Sequence, residues 1–198
     1  SRSYLGYEIE VHVIDDRRSD LIYEDRSVEI TSLPLEHRAP CVGYLFREKV
    51  TERHIDRASC DFYQVPRSYY VALREGADFT TEEGQVIPNH CLTRQGRKAR
   101  SYAYCSDTAY APSLVPLIQG VDLLYHEATF SRERSERAKV TAHSTAEQAA
   151  LIAQASGVGR LLIGHYSARY LDATPLLREA QEVFPETLAS DEGMIIDL

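Results

Sequence analysis

Between Tyr102 and Tyr170, short apolar runs give way repeatedly to clusters of ionisable and hydroxyl residues, and this pattern constrains the fold more than any other feature of the chain. The clusters are Ser106-Asp107-Thr108, His126-Glu127-Ala128-Thr129 and His143-Ser144-Thr145, followed by His165 in Gly164-His165-Tyr166-Ser167-Ala168-Arg169-Tyr170. The runs Tyr102–Cys105, Val121–Tyr125 and Leu161–Gly164 have the length and composition of strands. A strand, helix, strand, helix, strand, helix alternation implies an α/β layer. In such a layer, residues just past the strand ends face one shared crevice. The clusters therefore read as a site.

Local signals extend the pattern in both directions. The helix after His143 is specified by Ser144-x-x-Glu147 as a capping box, by Ala146, Ala149, Ala150 and Ala153 as a close-packing stripe, and by Gly157 as its stop. A further helix is expected from Thr174 as N-cap, with Pro175 first inside it, to a point before Pro185, and it turns Leu176, Leu177, Ala180 and Phe184 to the sheet. A closing hairpin is expected from Leu188–Ser190 and Met194–Ile196 around Asp191-Glu192-Gly193. Upstream, Tyr7, Ile9, Val11 and Val13 alternate with polar residues, the pattern of a half-buried strand over Tyr7–Ile14. Asp15 to Asp20 breaks it. Val28, Ile30 and Ser32 begin a second run that leads to His37, and Val42–Phe46 makes another strand. From Arg47 to Arg100 the periodicity weakens and Pro66, Gly76, Gly84, Pro88 and Gly96 punctuate the chain, as in an insertion beyond a core sheet.

With 198 residues, 43% of them hydrophobic, the chain suffices for one domain with a real core. Its formal net charge of -8 argues against a surface that coats nucleic acid generally, so an RNA site must be local. The one basic stretch free of carboxylates contains Arg94, Arg97, Lys98 and Arg100. It fits an RNA backbone or a solvated loop, and Tyr63, Tyr69 and Tyr70 fit core positions as readily as stacking platforms. Cys41, Cys60, Cys91 and Cys105 lack C-x-x-C spacing and read as reduced cysteines of a cytoplasmic protein. No run of ~18 apolar residues is present to span a bilayer. Ser1-Arg2-Ser3-Tyr4-Leu5-Gly6 has no apolar signal core, and the absence of an initial Met reads as a fragment.

The ordered set Tyr104-Cys105-Ser106-Asp107-Thr108, Asp122 to Phe130, His143 to Ala150 and His165 to Tyr170 resembles the C-terminal part of the ribonuclease Z family. These are zinc-dependent endonucleases, within the metallo-β-lactamase superfamily, that trim the 3′ ends of tRNA precursors. The resemblance reaches upstream through Pro34-Leu35-Glu36-His37-Arg38-Ala39-Pro40-Cys41-Val42-Gly43-Tyr44, so it covers nearly all of this chain. The family's H-x-H-x-D-H signature, which supplies most of its metal ligands, is absent. The resemblance thus implies an incomplete metallo-β-lactamase αββα sandwich over residues 1–198, with 47–100 an inserted tRNA-binding arm. Val65-Pro66 with Leu73-Arg74-Glu75-Gly76 resembles that arm, where Arg67-Ser68 replaces the family's Gly-Pro.

From chemistry alone, Asp107 at a strand end suits a carboxylate bridging two metal ions, or a helix N-cap for the segment after Thr108. The resemblance favours the first and makes His37, Asp107 and His165 ligands to two zinc ions in the complete subunit. His12, His54 and His90 have no motif context, and His126 reads as structural. His143, beside a helix N-terminus, is implied as the general acid that protonates the departing 3′ oxygen after metal-hydroxide attack, and Glu127 as the group that orients it. Arg169 suits a phosphate clamp or a surface ion pair. Arg94, Arg97 and Lys98 join it as substrate-binding candidates. A tRNA precursor as substrate, a homodimer, no membrane association and an inactive isolated chain are the remaining expectations. The alternatives are a zinc phosphodiesterase of the same fold acting on other RNA or small diesters, and a subunit that kept the fold without catalysis.

Overall fold

The computed structural model describes Tyr7 and residues 9–198. The Ser1–Gly6 segment lies outside the described residues, as does Glu8 of the strand expected over Tyr7–Ile14. Residues 9–15 form no strand, and Ile9, Val11 and Val13 are exposed, Val13 at 97%. Alternation specifies a strand only where a partner and a covering layer meet its apolar face, and here neither does.

The described residues divide into two compact units. The larger comprises Glu29–Arg47, Ser101–Leu198 and the described residues before Asp25. Its sheet has seven strands among the described residues: β1 (Leu21–Glu24), β2 (Val28–Pro34), β3 (Val42–Glu48), β4 (Ser101–Cys105), β5 (Leu123–Glu127), β6 (Arg160–Gly164) and β7 (Thr187–Ala189), adjacent in chain order. β1–β2 and β3–β4 pair antiparallel, whereas β4–β5, β5–β6 and β6–β7 pair parallel. The last four strands therefore end on the same edge, which is where the three downstream clusters begin.

Parallel pairing requires crossovers on a face of the sheet. Between β5 and β6 run α1 (Ser135–Thr141), which the sequence patterns did not mark, and α2 (Ala146–Ser156); α3 (Thr174–Val183) joins β6 to β7. Ala149, Ala150 and Ala153 of α2 and Leu176 and Ala180 of α3 are wholly buried with Ala103, Leu124, Leu161 and Ile163 of the sheet. Alanines let the helix approach closely, and each large side chain so buried contributes ~1.5–3 kcal/mol. The opposite face alternates to half-exposed aromatics. There Phe46 stacks on Tyr102 at 5.9 Å and Tyr104 on Tyr125 at 4.8 Å.

Four local expectations are corrected. The capping box of α2 is Thr145 with Gln148, both reciprocal bonds being present, and not Ser144 with Glu147. Ser144 is unavailable because its hydroxyl donates to the Thr108 carbonyl at 2.8 Å and its N–H belongs to the site described below. No helix follows Thr108; the link to β5 has only a 3-10 turn at Pro112–Leu114, since Pro116 denies a helix the N–H that would bond four residues back. Thr174 is the first residue inside α3, and the Asp172 carboxylate accepts its N–H at 2.7 Å. The closing hairpin is also absent: β7 pairs parallel with β6, the turn forms at Asp191 and Gly193, and Met194–Ile196 finds no strand to join.

The smaller unit comprises Asp25–Val28 and Glu48–Arg100. It has its own core of Cys60, Val65, Leu73, Ile87 and Leu92, against which Tyr63, Tyr69 and Tyr70 pack. The basic stretch is not a uniform cationic surface. Arg94 pairs with Asp56 at 3.0 Å, and Arg100 grips Glu48 so firmly that the carboxyl is held well below its usual range, at about 2. Arg97 instead lines a cleft of about 740 Å³ with Arg26, Arg53 and Arg74. Among the described residues no carboxylate pairs with Arg26, Arg53 or Arg97. No helix of the described residues is long and apolar enough to cross a membrane.

Candidate functional site

The site lies in the larger unit. Asp107, two residues past β4, and His165, the first residue past β6, both have left-handed backbones, with φ of 57° and 58°. That conformation costs a residue with a Cβ ~1–2 kcal/mol and persists only where the surroundings hold it. Its effect is to turn each chain sharply at its strand end, so that the two side chains meet. The Nε2 atom of His165 is 3.2 Å from Oδ1 of Asp107. With no helix after Thr108, Asp107 caps nothing.

Glu127 ends β5 and is wholly buried. A buried carboxylate must be surrounded by donors, and here four converge on it. The Thr108 N–H (2.7 Å) and the His143 ring Nδ1 (2.9 Å) reach Oε1, while the Thr129 hydroxyl (2.6 Å) and the Ser144 N–H (3.0 Å) reach Oε2. Three of the four clusters of the sequence pattern thus send donors to one carboxylate. The His143 segment is brought there by left-handed Ala142 at the end of α1 and by the Ala146 N–H, which donates to the Phe130 carbonyl at 2.9 Å.

Because a carboxylate only accepts, His143 carries its proton on Nδ1, and Nε2 is the nitrogen left for other work. The His143 ring centroid lies 5.3 Å from that of His165 and 5.1 Å from that of His37. The Nδ1 atom of His37 donates to the Ala142 carbonyl at 2.9 Å, which likewise leaves Nε2 with its lone pair. Potential metal-donor atoms of Asp107, Glu127, His143 and His165 lie within 4.8 Å of one another. His37 adjoins this group without belonging to it. Of the four, Glu127 has its oxygens occupied by donors. The donors left uncommitted among these side chains are the Asp107 carboxylate and the Nε2 atoms of His165 and His143, with the His37 ring against that of His143. This oxygen and imidazole set suits zinc in kind.

Other expected residues fall as follows. His126 is on the core face, fully buried, with Nδ1 donating to the Glu127 carbonyl at 2.8 Å; burial pushes its pKa down, so it is neutral. Arg169 is exposed, with its guanidinium 5.3 Å from the centre of the Phe130 ring, and that ring lies edge-on to His143 at 6.3 Å. It makes no ion pair among the described residues. Arg94, Arg97 and Lys98 belong to the smaller unit. Cys41 donates to the Ser106 carbonyl; burial, then the charges of Asp107 and Glu127, push its thiol up, which keeps it protonated. Sequence reasoning missed Thr108, Ser144 and Thr129 as parts of the site. Their signal was their recurrence, one hydroxyl residue close after the ionisable residue in each cluster.

No family model matches the chain. Curated relatives do. It is 56% identical over 194 residues to the ribonuclease Z of Porphyromonas gingivalis strain W83, covering 98% of this chain and 64% of that one. To the ribonuclease Z of Parabacteroides distasonis it is 56% identical over 190 residues, 96% of this chain and 62% of the other. The chain therefore spans somewhat less than two thirds of the length of these relatives. Among solved structures, human tRNase Z, short form, superposes with a TM-score of 0.55 at 22% identity, covering 90% of this chain and 46% of that one. The metallo-β-lactamase fold protein YhfI from Bacillus subtilis gives 0.54 at 18% identity, over 89% and 50%. At those identities the likeness establishes the fold, which is the metallo-β-lactamase fold.

Proposed function

Because this chain belongs to the ribonuclease Z family, matching its relatives over nearly all of its own length and less than two thirds of theirs, we propose that it carries the proton-transfer half and part of the metal site of a zinc-dependent endoribonuclease that removes 3′ trailers from tRNA precursors. The observation that supports this most directly is the His143 Nδ1 contact to buried Glu127 at 2.9 Å, beside Asp107 and His165. A departing 3′ oxygen is a poor leaving group until protonated, and an imidazole is suited to supply that proton near neutral pH. Glu127 holds the Nδ1 proton and orients the ring, and Nε2 donates to the leaving oxygen. Asp107 and His165, with His37, would hold the metal, which would supply a nucleophile at neutral pH and offset negative charge developing on the phosphate. Arg169 clamps a phosphate oxygen, its guanidinium kept at the site by Phe130. A homodimer in the cytoplasm is the setting this reading carries.

The same reading makes residues 47–100 an arm that grips the tRNA body. Arg97 of the arm and Arg26, which lines the same cleft, form no ion pair with a carboxylate among the described residues and are the leading phosphate contacts. Arg26→Ala with Arg97→Ala, in a chain extended at its N-terminus to the length of its relatives, is expected to lower affinity for a tRNA precursor and to reduce the slope of log affinity against log salt by about 1 per lost contact. Cleavage of a small diester stays unchanged. Equal loss of both activities would mean that these residues serve the catalytic fold. A phosphodiesterase for other RNA or small diesters is the second reading, favoured by the ion pairs that occupy Arg94 and Arg100.

The chain as it stands is expected to bind zinc weakly and to turn over little substrate, because Asp107, His165 and His37 make at most two protein ligands per ion. Metal analysis after gel filtration, with a phosphodiesterase assay, checks this. Two tightly held zinc ions with sustained turnover would contradict it.

A further inference from the structure

We propose that Thr129 is a positioning residue that fixes the tautomer of His165, so that the imidazole presents a lone pair, and not an N–H, toward Asp107. Its importance for metal rests on the reading of His165 as a ligand given above; the tautomer itself does not. Thr129 is buried, at 6% exposure, and its hydroxyl oxygen lies 2.6 Å from Oε2 of Glu127, 2.9 Å from Nδ1 of His165 and 2.9 Å from the His165 carbonyl oxygen.

A hydroxyl has one proton and two lone pairs. Glu127 accepts one backbone N–H on each of its oxygens, from Thr108 on Oε1 and from Ser144 on Oε2, so both oxygens act as acceptors toward the groups around them. The 2.6 Å contact has the length of a hydroxyl donating to a carboxylate. The Thr129 proton therefore points at Glu127, and what remains toward His165 is a lone pair. Nδ1 must then donate, and Nε2 is left bare. The His165 carbonyl is an acceptor too, so the outcome is the same whichever oxygen takes the hydroxyl proton.

The bare Nε2 faces Oδ1 of Asp107 at 3.2 Å. A lone pair on Nε2 and a carboxylate oxygen at that distance make a pair suited to share a cation, so the hydroxyl prepares the neutral ring to receive one. The backbone keeps the groups in register: the Ala128 N–H donates to the Gly164 carbonyl at 2.8 Å, and the Ser167 N–H to the Thr129 carbonyl at 3.2 Å. Threonine suits the position better than serine because its branched Cβ restricts the side-chain rotamer. One hydroxyl thereby links the carboxylate that orients His143 to the imidazole that faces Asp107.

The test is the ring-nitrogen NMR of this chain at about pH 8.5, above the ordinary imidazole pKa of about 6.5, so that neutral tautomers are compared. His165 is expected as the Nδ1–H tautomer in the unaltered chain and in Thr129→Ser, and mainly as Nε2–H in Thr129→Val. A Zn²⁺ titration followed on the same resonances is expected to show affinity lower by about 10- to 100-fold in Thr129→Val and largely restored in Thr129→Ser. An Nε2–H tautomer in the unaltered chain, which needs no variant to fold, would overturn the proposal. So would an unchanged tautomer in Thr129→Val. A switched tautomer with unchanged zinc affinity would overturn instead the reading of His165 as a ligand.

Discussion

His143→Ala, in a chain extended at its N-terminus to the length of its relatives, is expected to lower turnover on a tRNA precursor by ~10²–10⁴-fold, the range for lost general-acid catalysis. Metal content and KM should stay close to those of the unaltered protein. The reason is geometric: His143 Nδ1 is committed to Glu127, its side chain keeps 18% exposure, and Nε2 is the ring nitrogen left for other work. Asp107→Ala should differ in kind, because it removes the carboxylate that faces His165 and with it the metal. Measuring zinc per chain and single-turnover rates for both variants separates the roles. A substrate whose leaving group needs no proton, such as a nitrophenyl ester, should recover much of the loss in His143→Ala and none of it in Asp107→Ala. Equal zinc loss in the two variants would refute the division.

Glu127→Ala is expected to be among the most destabilising single substitutions in this chain, and the effect needs no extension to be seen. The Thr129 hydroxyl and the His143 ring can turn or change tautomer when the carboxylate is removed, but the Thr108 and Ser144 N–H groups are fixed by the backbone. Each buried donor left unsatisfied costs ~1–3 kcal/mol, so the pair costs ~2–6 kcal/mol, against a total stability of ~5–15 kcal/mol for an ordinary domain. Glu127→Gln keeps the shape and one oxygen but turns an amide donor toward two of the four donors. Its loss should fall between those of the alanine variant and the unaltered chain. Urea unfolding followed by circular dichroism measures both. A loss below ~1 kcal/mol for the alanine variant would mean that water or a rearranged backbone satisfies those groups.

Much of the framework was legible in the sequence because it rests on local rules. The runs at Tyr102–Cys105 and Leu161–Gly164 sit within strands one residue longer at the start, Gly157 stops α2 with a φ of 59°, and Val42–Phe46 lies within β3. Each is a matter of side-chain period or backbone freedom within a few residues. The errors have a common cause. Tyr7–Ile14, the closing hairpin and the Ser144 cap each had a plausible local signal, and each failed because the partner that signal required was absent or already engaged elsewhere. Ser144 is the clearest instance, since a serine three residues before a glutamate is a sound capping box until its N–H is needed by a carboxylate 17 residues away.

By itself, then, the sequence determined the strands downstream of Tyr102, the helices between β5 and β6 and between β6 and β7 but not the helix expected between β4 and β5, and that ionisable residues fall where strands end, because period and capping act over one or two turns of chain. It also carried the ordered motifs of the ribonuclease Z family. What only the tertiary structure decided is which of those residues touch: that four donors converge on the Glu127 carboxylate, that left-handed turns at Asp107 and His165 bring a carboxylate within 3.2 Å of an imidazole, and that Arg100 grips Glu48. These are contacts between residues as much as 58 positions apart in the chain, as Asp107 and His165 are. They exist only once strands distant in the chain have paired and aligned their ends, and no local rule of spacing contains them.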